Sequence, residues 1–403
     1  MSAAVTDQAS NAAGHMMRRA LSPIDVTSSS WGRAALAAFV LTVLGVAPLA
    51  AQGTPLSVDH YVRVVSKAPS MEGQLAQIYV RERVLAGTAL RSRGLEGRVV
   101  VFVHGAGTPA EVAFDPPGAS WMAFLAEAGY DVFSMDMTGY GRSTRPAAMN
   151  DPCNFSEAQQ ADFVPTLIPA PCPATFAFAA TTIESDWDDL DAVVEYVRAL
   201  RGVDRVHLAA WSLGGPRAGG YAARHAEKVV SLMLLSPAYS RTRSSTPPAR
   251  LPAPGTAMTK QSRTDFDALW NRQAPCPGQV EPRVRESVWT AMLESDPVGA
   301  TWGTGVRRAP NVTTWGWSRD EASRQQTPML LVAPATDGQV APARVRELFE
   351  DAGSSNKVLI DLACSSHNAM WESNRLLLFE ASLEWLRSGS VDGVDMGEVK
   401  LGY

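Results

Sequence analysis

Apolar positions along this chain alternate between two kinds of run. Some are short and nearly continuous, as at 98–103, 131–135, 203–210, 229–235, 329–333 and 357–362. Runs of that length with little polar interruption predict strands buried on both faces. Between them lie stretches in which apolar residues recur every three or four positions, at 121–128, 183–200, 342–352 and 371–387, and a Gly- and Ala-rich stretch at 213–225. These predict helices. Two further runs, 61–65 and 77–84, read as a leading hairpin. Strand-helix alternation on this scale predicts an α/β fold: a mostly parallel central sheet with helices on both faces.

Two long stretches break the alternation. Residues 145–181 are rich in proline and contain Cys153 and Cys172. Residues 239–326 are rich in proline and then in tryptophan, with Trp270, Trp289, Trp302, Trp315 and Trp317. Both leave the C-terminal side of a predicted strand, where open α/β sheets bind ligands. Long insertions of this kind are either functional or disordered. The aromatic content favours an ordered cap, with most of the tryptophans as its own core and an apolar pocket beneath it.

Composition narrows the class. The chain has 403 residues, 46% hydrophobic and 19% charged, with a formal net charge of -5. This composition is globular and offers no basic stripe for nucleic acid. The arginines at 241, 243 and 250 sit among Ser and Pro and read as a solvated loop. Residues 1–51 read as a signal-peptide region, with Arg18, Arg19 and Arg33 ahead of the apolar run 34–47 and a small-residue segment at 48–52. That run is short for a membrane span of about 20 residues. The expectation is an exported protein, periplasmic or secreted, with a single α/β domain over 52–403. All four cysteines fall in the exported part, and an even number there predicts disulfides. Three pairings are open. Cys153–Cys172 is favoured because it brackets one insertion, leaving Cys276–Cys364 to tie the second insertion to the loop before His367.

The candidate chemistry centres on Ser212, in the segment Ala210-Trp211-Ser212-Leu213-Gly214-Gly215 between a buried strand and a small-residue helix. A nucleophilic serine exposed at a tight strand-to-helix turn needs small residues two positions to either side, here Ala210 and Gly214. Of six histidines, only His367 lies in a loop between a late strand and the last helix. There a neutral imidazole could accept the Ser212 proton. Asp337 follows a predicted strand and opens a helix, a position from which it could orient His367. The earlier candidate loop, 236–239, has no carboxylate. Developing negative charge on a carbonyl oxygen needs backbone N–H donors. Leu213 supplies one, and the His104-Gly105-Ala106-Gly107 loop supplies the other, assigned to Ala106. His104, Gly105, Gly107 and Trp211 are expected near the substrate.

These motifs, with Asp136-Met-Thr-Gly-Tyr-Gly-Arg-Ser143, resemble the α/β-hydrolase superfamily over nearly all of the chain after the signal region. The resemblance implies the α/β-hydrolase fold, a Ser212–His367–Asp337 triad and no cofactor or metal. It also implies that the Asp136–Ser143 turn is structural. The expected activity is hydrolysis of a carboxylic ester of a small or medium apolar substrate through an acyl-enzyme. Amidase, lactonase and C–C hydrolase chemistry would use the same parts. Two other classes fit the residues less well. A dinucleotide site at residues 105–110, with Asp136 as the ribose ligand, conflicts with Pro109 and the Asp115-Pro116-Pro117-Gly118 stretch, where a helix should begin. A non-catalytic binding protein would leave the serine constellation unexplained. The expected partner is a small ester-like molecule, without nucleic acid and with no membrane role beyond export.

Overall fold

The computed structural model describes residues 53–89, 94–242, 255–303, 305–309 and 315–403. The export signal expected over 1–51 lies outside the described residues, as do Arg243 and Arg250. The strands in chain order are β1 (Leu56–Val65), β2 (Leu75–Val84), β3 (Val99–Val103), β4 (Asp131–Met135), β5 (Val206–Trp211), β6 (Val229–Leu235), β7 (Thr259–Ser262), β8 (Gly305–Arg308), β9 (Met329–Pro334), β10 (Lys357–Leu362) and β11 (Met396–Leu401). Among the described residues nine of them form one sheet, in the order β1-β2-β4-β3-β5-β6-β9-β10-β11. β2 runs antiparallel to both β1 and β4, and every other neighbouring pair is parallel.

The near-continuous apolar runs follow from burial on both faces. In β3, Val99, Val101 and Val103 pack into one hydrophobic cluster, while Val100 and Phe102 pack into the other. The first cluster is covered by the helices Ile183–Arg201 and Gly214–Ala222 through Leu190, Val194, Val197, Ala218 and Tyr221. The second is covered by Trp121–Glu127 and Arg375–Ser388 through Trp121, Leu125, Phe379 and Trp385. Local signals set the helix ends. Ile183–Arg201 begins in a capping box between Thr182 and Ser185 and stops at Gly202, whose φ of 62° is open to glycine at little cost.

Several elements differ from their predicted form. The last helix begins at Arg375 rather than 371, because residues Ala369–Trp371 form a separate 3-10 turn that buries the Trp371 ring. β11 has no predicted counterpart. It is an edge strand with Val399 buried and Met396 exposed, so its apolar pattern is thin. The antiparallel pair β7–β8 joins two ends of the 239–326 insertion that are far apart in sequence, a non-local pairing invisible to periodicity.

The insertion is otherwise built around the helices Arg263–Asn271 and Pro282–Ser295. Trp270, Trp289 and Trp317 are buried within the packed clusters, and Trp302 and Trp315 are half-buried against them. Both favoured disulfides are formed, Cys153–Cys172 and Cys276–Cys364. No helix among the described residues is long and apolar enough to cross a membrane.

Candidate active site

Ser212 sits where β5 turns into the helix Gly214–Ala222, with φ at 57°. That left-handed conformation costs a non-glycine residue about 1–3 kcal/mol and persists only where surrounding contacts impose it. Here the Ser212 N–H donates to the Leu235 carbonyl at 3.0 Å, and the Ser212 carbonyl accepts from Gly215 at 2.8 Å and Ala238 at 2.9 Å. The small residues of the motif have a steric reason. A Cβ at Gly214 would lie 2.4 Å from the Val103 carbonyl oxygen, so any larger residue would push the start of the Gly214–Ala222 helix away from the end of β3.

Ser212, Leu213, Ala106 and His367 line one cavity of about 560 Å³. His367 Nδ1 is 2.8 Å from Asp337 Oδ2, with both side chains buried. The other Asp337 oxygen accepts from the N–H groups of Gln339 at 2.8 Å and Val340 at 2.9 Å, which holds the carboxylate in one orientation. The Ser212 hydroxyl makes no hydrogen bond to His367. Such contacts are often long before substrate binds and shorten in the complex. The backbone amides of Ala106 and Leu213 donate to no acceptor among the described residues, and both residues line the cavity.

The residues expected to touch substrate divide. Trp211 lines the cavity, and its indole N–H donates to the His367 carbonyl at 2.8 Å. Gly105 and Gly107 are buried in the loop backbone behind it. His104 is not a substrate contact: it is completely buried and does not line the cavity. Its ring nitrogens are taken up by the Gly105 carbonyl at 2.7 Å and the Met137 N–H at 3.0 Å. Burial, with the Arg217 charge nearby, pushes its pKa well below the usual histidine range. The neutral ring therefore ties the loop to the end of β4. Asp136, the ribose ligand of the dinucleotide alternative, is likewise committed internally. Its two oxygens accept from Ala110 at 2.7 Å and Arg142 at 3.0 Å.

Several supporting residues have no obvious sequence signal. Arg217, fully buried in the Gly-rich helix, pairs with Asp186 at 2.7 Å and donates to the carbonyls of His104 at 2.9 Å and Gly105 at 3.1 Å. An arginine among glycines and alanines was the one available hint. Glu372 is fully buried under the His367 loop. It accepts from the Ser366 N–H at 2.8 Å, from Trp270 at 2.8 Å and from Gln279 at 3.0 Å. Gln273 accepts from the Gly338 N–H at 2.9 Å. The insertion segment carrying Trp270, Gln273, Cys276 and Gln279 is therefore bonded to the loops of both Asp337 and His367.

The cavity differs from the apolar pocket expected under the tryptophans. None of the five insertion tryptophans lines it. Phe266 and Leu269 supply apolar surface from the insertion, while Gln261, Arg308, Gln339, Arg344 and Asn368 make the rest markedly polar.

The fold and the arrangement around Ser212 define a class. The chain belongs to the α/β-hydrolase fold family, whose model matches residues 98–373. None of the curated proteins matches it in sequence. Among solved structures it is similar to a monoacylglycerol lipase from Paleococcus ferrophilus, at 20% identity over 78% of this chain and 99% of that one, with a TM-score of 0.45. It is also similar to a thermophilic esterase from Thermogutta terrifontis, at 16% identity over 82% and 99% of the two chains, with a TM-score of 0.47.

Proposed function

We propose that this protein is a serine hydrolase that cleaves a carboxylic ester through an acyl-enzyme on Ser212. The observation that carries the reading is the Asp337–His367 hydrogen bond opening onto the same cavity as a Ser212 held at positive φ. In this reading Ser212 Oγ attacks the ester carbonyl while His367 accepts its proton. The N–H groups of Ala106 and Leu213 stabilise the tetrahedral oxyanion. His367 then protonates the departing alcohol, and water releases the acyl group with the roles reversed. Asp337 holds the imidazole in the tautomer that presents Nε2 to the serine and stabilises the imidazolium that forms. Both disulfides support a role in an oxidising compartment. The residues of the 239–326 insertion that line the cavity support a cap acting on substrate choice.

The test is a 4-nitrophenyl ester chain-length series on the disulfide-intact protein beside Ser212→Ala, together with labelling by an active-site phosphonate. The expected result is turnover and labelling that both vanish in the variant. Undiminished turnover by Ser212→Ala would overturn the assignment. Labelling of Ser212 without turnover of any ester would keep the nucleophile and move the substrate to an amide, a lactone or a C–C bond.

A further inference from the structure

β8 sends two adjacent arginines in opposite directions, as a strand must. Arg307 is buried against Asp296, with Nη2 2.7 Å from a carboxylate oxygen, and its charge is neutralised inside the insertion. Arg308 lines the cavity that holds Ser212 and His367, and no carboxylate lies within ion-pair distance of it among the described residues. Of its five N–H donors, one has a protein acceptor among the described residues, the Ala106 carbonyl at 3.3 Å. The guanidinium is also seated rather than dangling. A Cβ at Gly107, whose φ is 79°, would fall 1.8 Å from Arg308 Nε, so the arginine occupies the space that only glycine leaves open.

A guanidinium stays charged under all ordinary conditions, and a poorly solvated charge without a counterion is unfavourable. Among the described residues, the cavity lining holds no carboxylate to balance it. Its lining carries two arginines, Arg308 and Arg344, and no aspartate or glutamate, in a chain with a net charge of -5. Arg344 has a partner in Glu347 at 2.8 Å, so Arg308 is the cavity-lining arginine without an ion-pair partner among the described residues, and Asp265 acts on it only from beyond ion-pair distance. An arrangement that holds a cation rigidly beside the oxyanion loop, and omits its counterion, is completed by a ligand that brings the charge.

We infer that the ester substrate carries a carboxylate and that Arg308 receives it, which rests on the ester-hydrolase reading of the same cavity. The planar guanidinium fork matches one carboxylate in a bidentate contact. Because Arg308 hydrogen-bonds the carbonyl of Ala106, the residue whose N–H is assigned to the oxyanion, the carboxylate lies only a few bonds from the scissile carbonyl. Half-esters of short dicarboxylic acids have that geometry. Arg308 is then a specificity-determining residue, and the substrate is anionic rather than apolar.

Two measurements test this. In Ser212→Ala, calorimetric titration compares the monomethyl ester of adipate, which is anionic, with the dimethyl ester, which is neutral. The anionic ligand should bind about 10- to 100-fold more tightly, the range of a hydrogen bond to a charged group. Adding Arg308→Gln should abolish the preference, and Arg308→Lys should restore part of it. In the protein with Ser212 intact, the ratio of kcat/KM for mono-4-nitrophenyl adipate to that for neutral 4-nitrophenyl 6-methylheptanoate should fall by a similar factor on Arg308→Gln. Equal binding of the two ligands, or a preference that survives Arg308→Gln, would overturn the inference. So would an Arg308→Gln loss equal on both esters, which would place Arg308 at the oxyanion instead. Preferential anion binding without turnover of any ester would sustain the anion site while removing the ester reading.

Discussion

At the scale of single residues, the candidate site depends on atoms held in unfavourable states by their neighbours. Ser212 is kept at positive φ by three backbone hydrogen bonds, and the loop 104–107 beside it is held by the His104 ring from one side and Arg217 from the other. Arg217 and Asp186 are both buried, and removing one partner leaves the other as an uncompensated charge. Arg217→Met should therefore lower stability by about 3–5 kcal/mol in urea unfolding. The double variant with Asp186→Leu should be less damaged than the sum of the single ones. Additive losses would show that the pair is not coupled. Asp337→Asn should leave the fold intact but reduce kcat by about 10⁴-fold, because the amide favours the wrong imidazole tautomer. Ester kinetics alongside a melting curve would separate that loss from unfolding.

At the scale of elements, the 239–326 insertion does more than contribute lining residues to the cavity. It reaches the loop of Asp337 through Gln273, and that of His367 through Glu372 and the Cys276–Cys364 bond. The two disulfides therefore predict different phenotypes. Replacing either pair by serine should lower stability by about 2–5 kcal/mol, the usual range for a native bridge. Only the Cys276→Ser, Cys364→Ser variant should also lower kcat on a 4-nitrophenyl ester below the melting transition, since Cys364 lies three residues before His367. Equal kcat in both serine variants would mean that the insertion is not needed to hold the histidine loop.

At the scale of the whole molecule, buried carboxyls link stability to pH. Burial pushes Asp136 up to about 6 and Asp189 up to about 7, the latter although the Thr138 N–H donates to it at 3.0 Å. For a group raised in the fold, the contribution to stability is complete below its unfolded value, near 3.8, and is lost as pH rises through the folded value. Asp296 has the opposite sign, because Arg307 holds its pKa below the usual range and its contribution is lost as pH falls. Asp189→Asn keeps an acceptor for Thr138 but cannot ionise. Its melting temperature should fall less between pH 5 and pH 8 than that of the unaltered protein. An identical or steeper fall would contradict the assignment.

The sequence by itself determined the parallel core of the sheet, the main helices on its faces and the serine turn, because these rest on local periodicity, small-residue spacing and chain order; it favoured one of three disulfide pairings, and the structure decided it. Strands buried on both faces must be continuously apolar, and a strand-to-helix turn this tight must be flanked by residues as small as Ala210 and Gly214. What only the tertiary structure decided is where charge meets charge across distant segments. Nothing in the spacing of Arg307 and Arg308 says that one finds Asp296 and the other faces the cavity beside Ala106. The pairing of β7 with β8 sets that, across more than 40 residues of chain. The same holds for His104, whose motif position implied a substrate contact and whose complete burial makes it a strut. Local pattern reports which face of an element is buried, whereas the polarity of a cavity is a sum over side chains contributed by several elements.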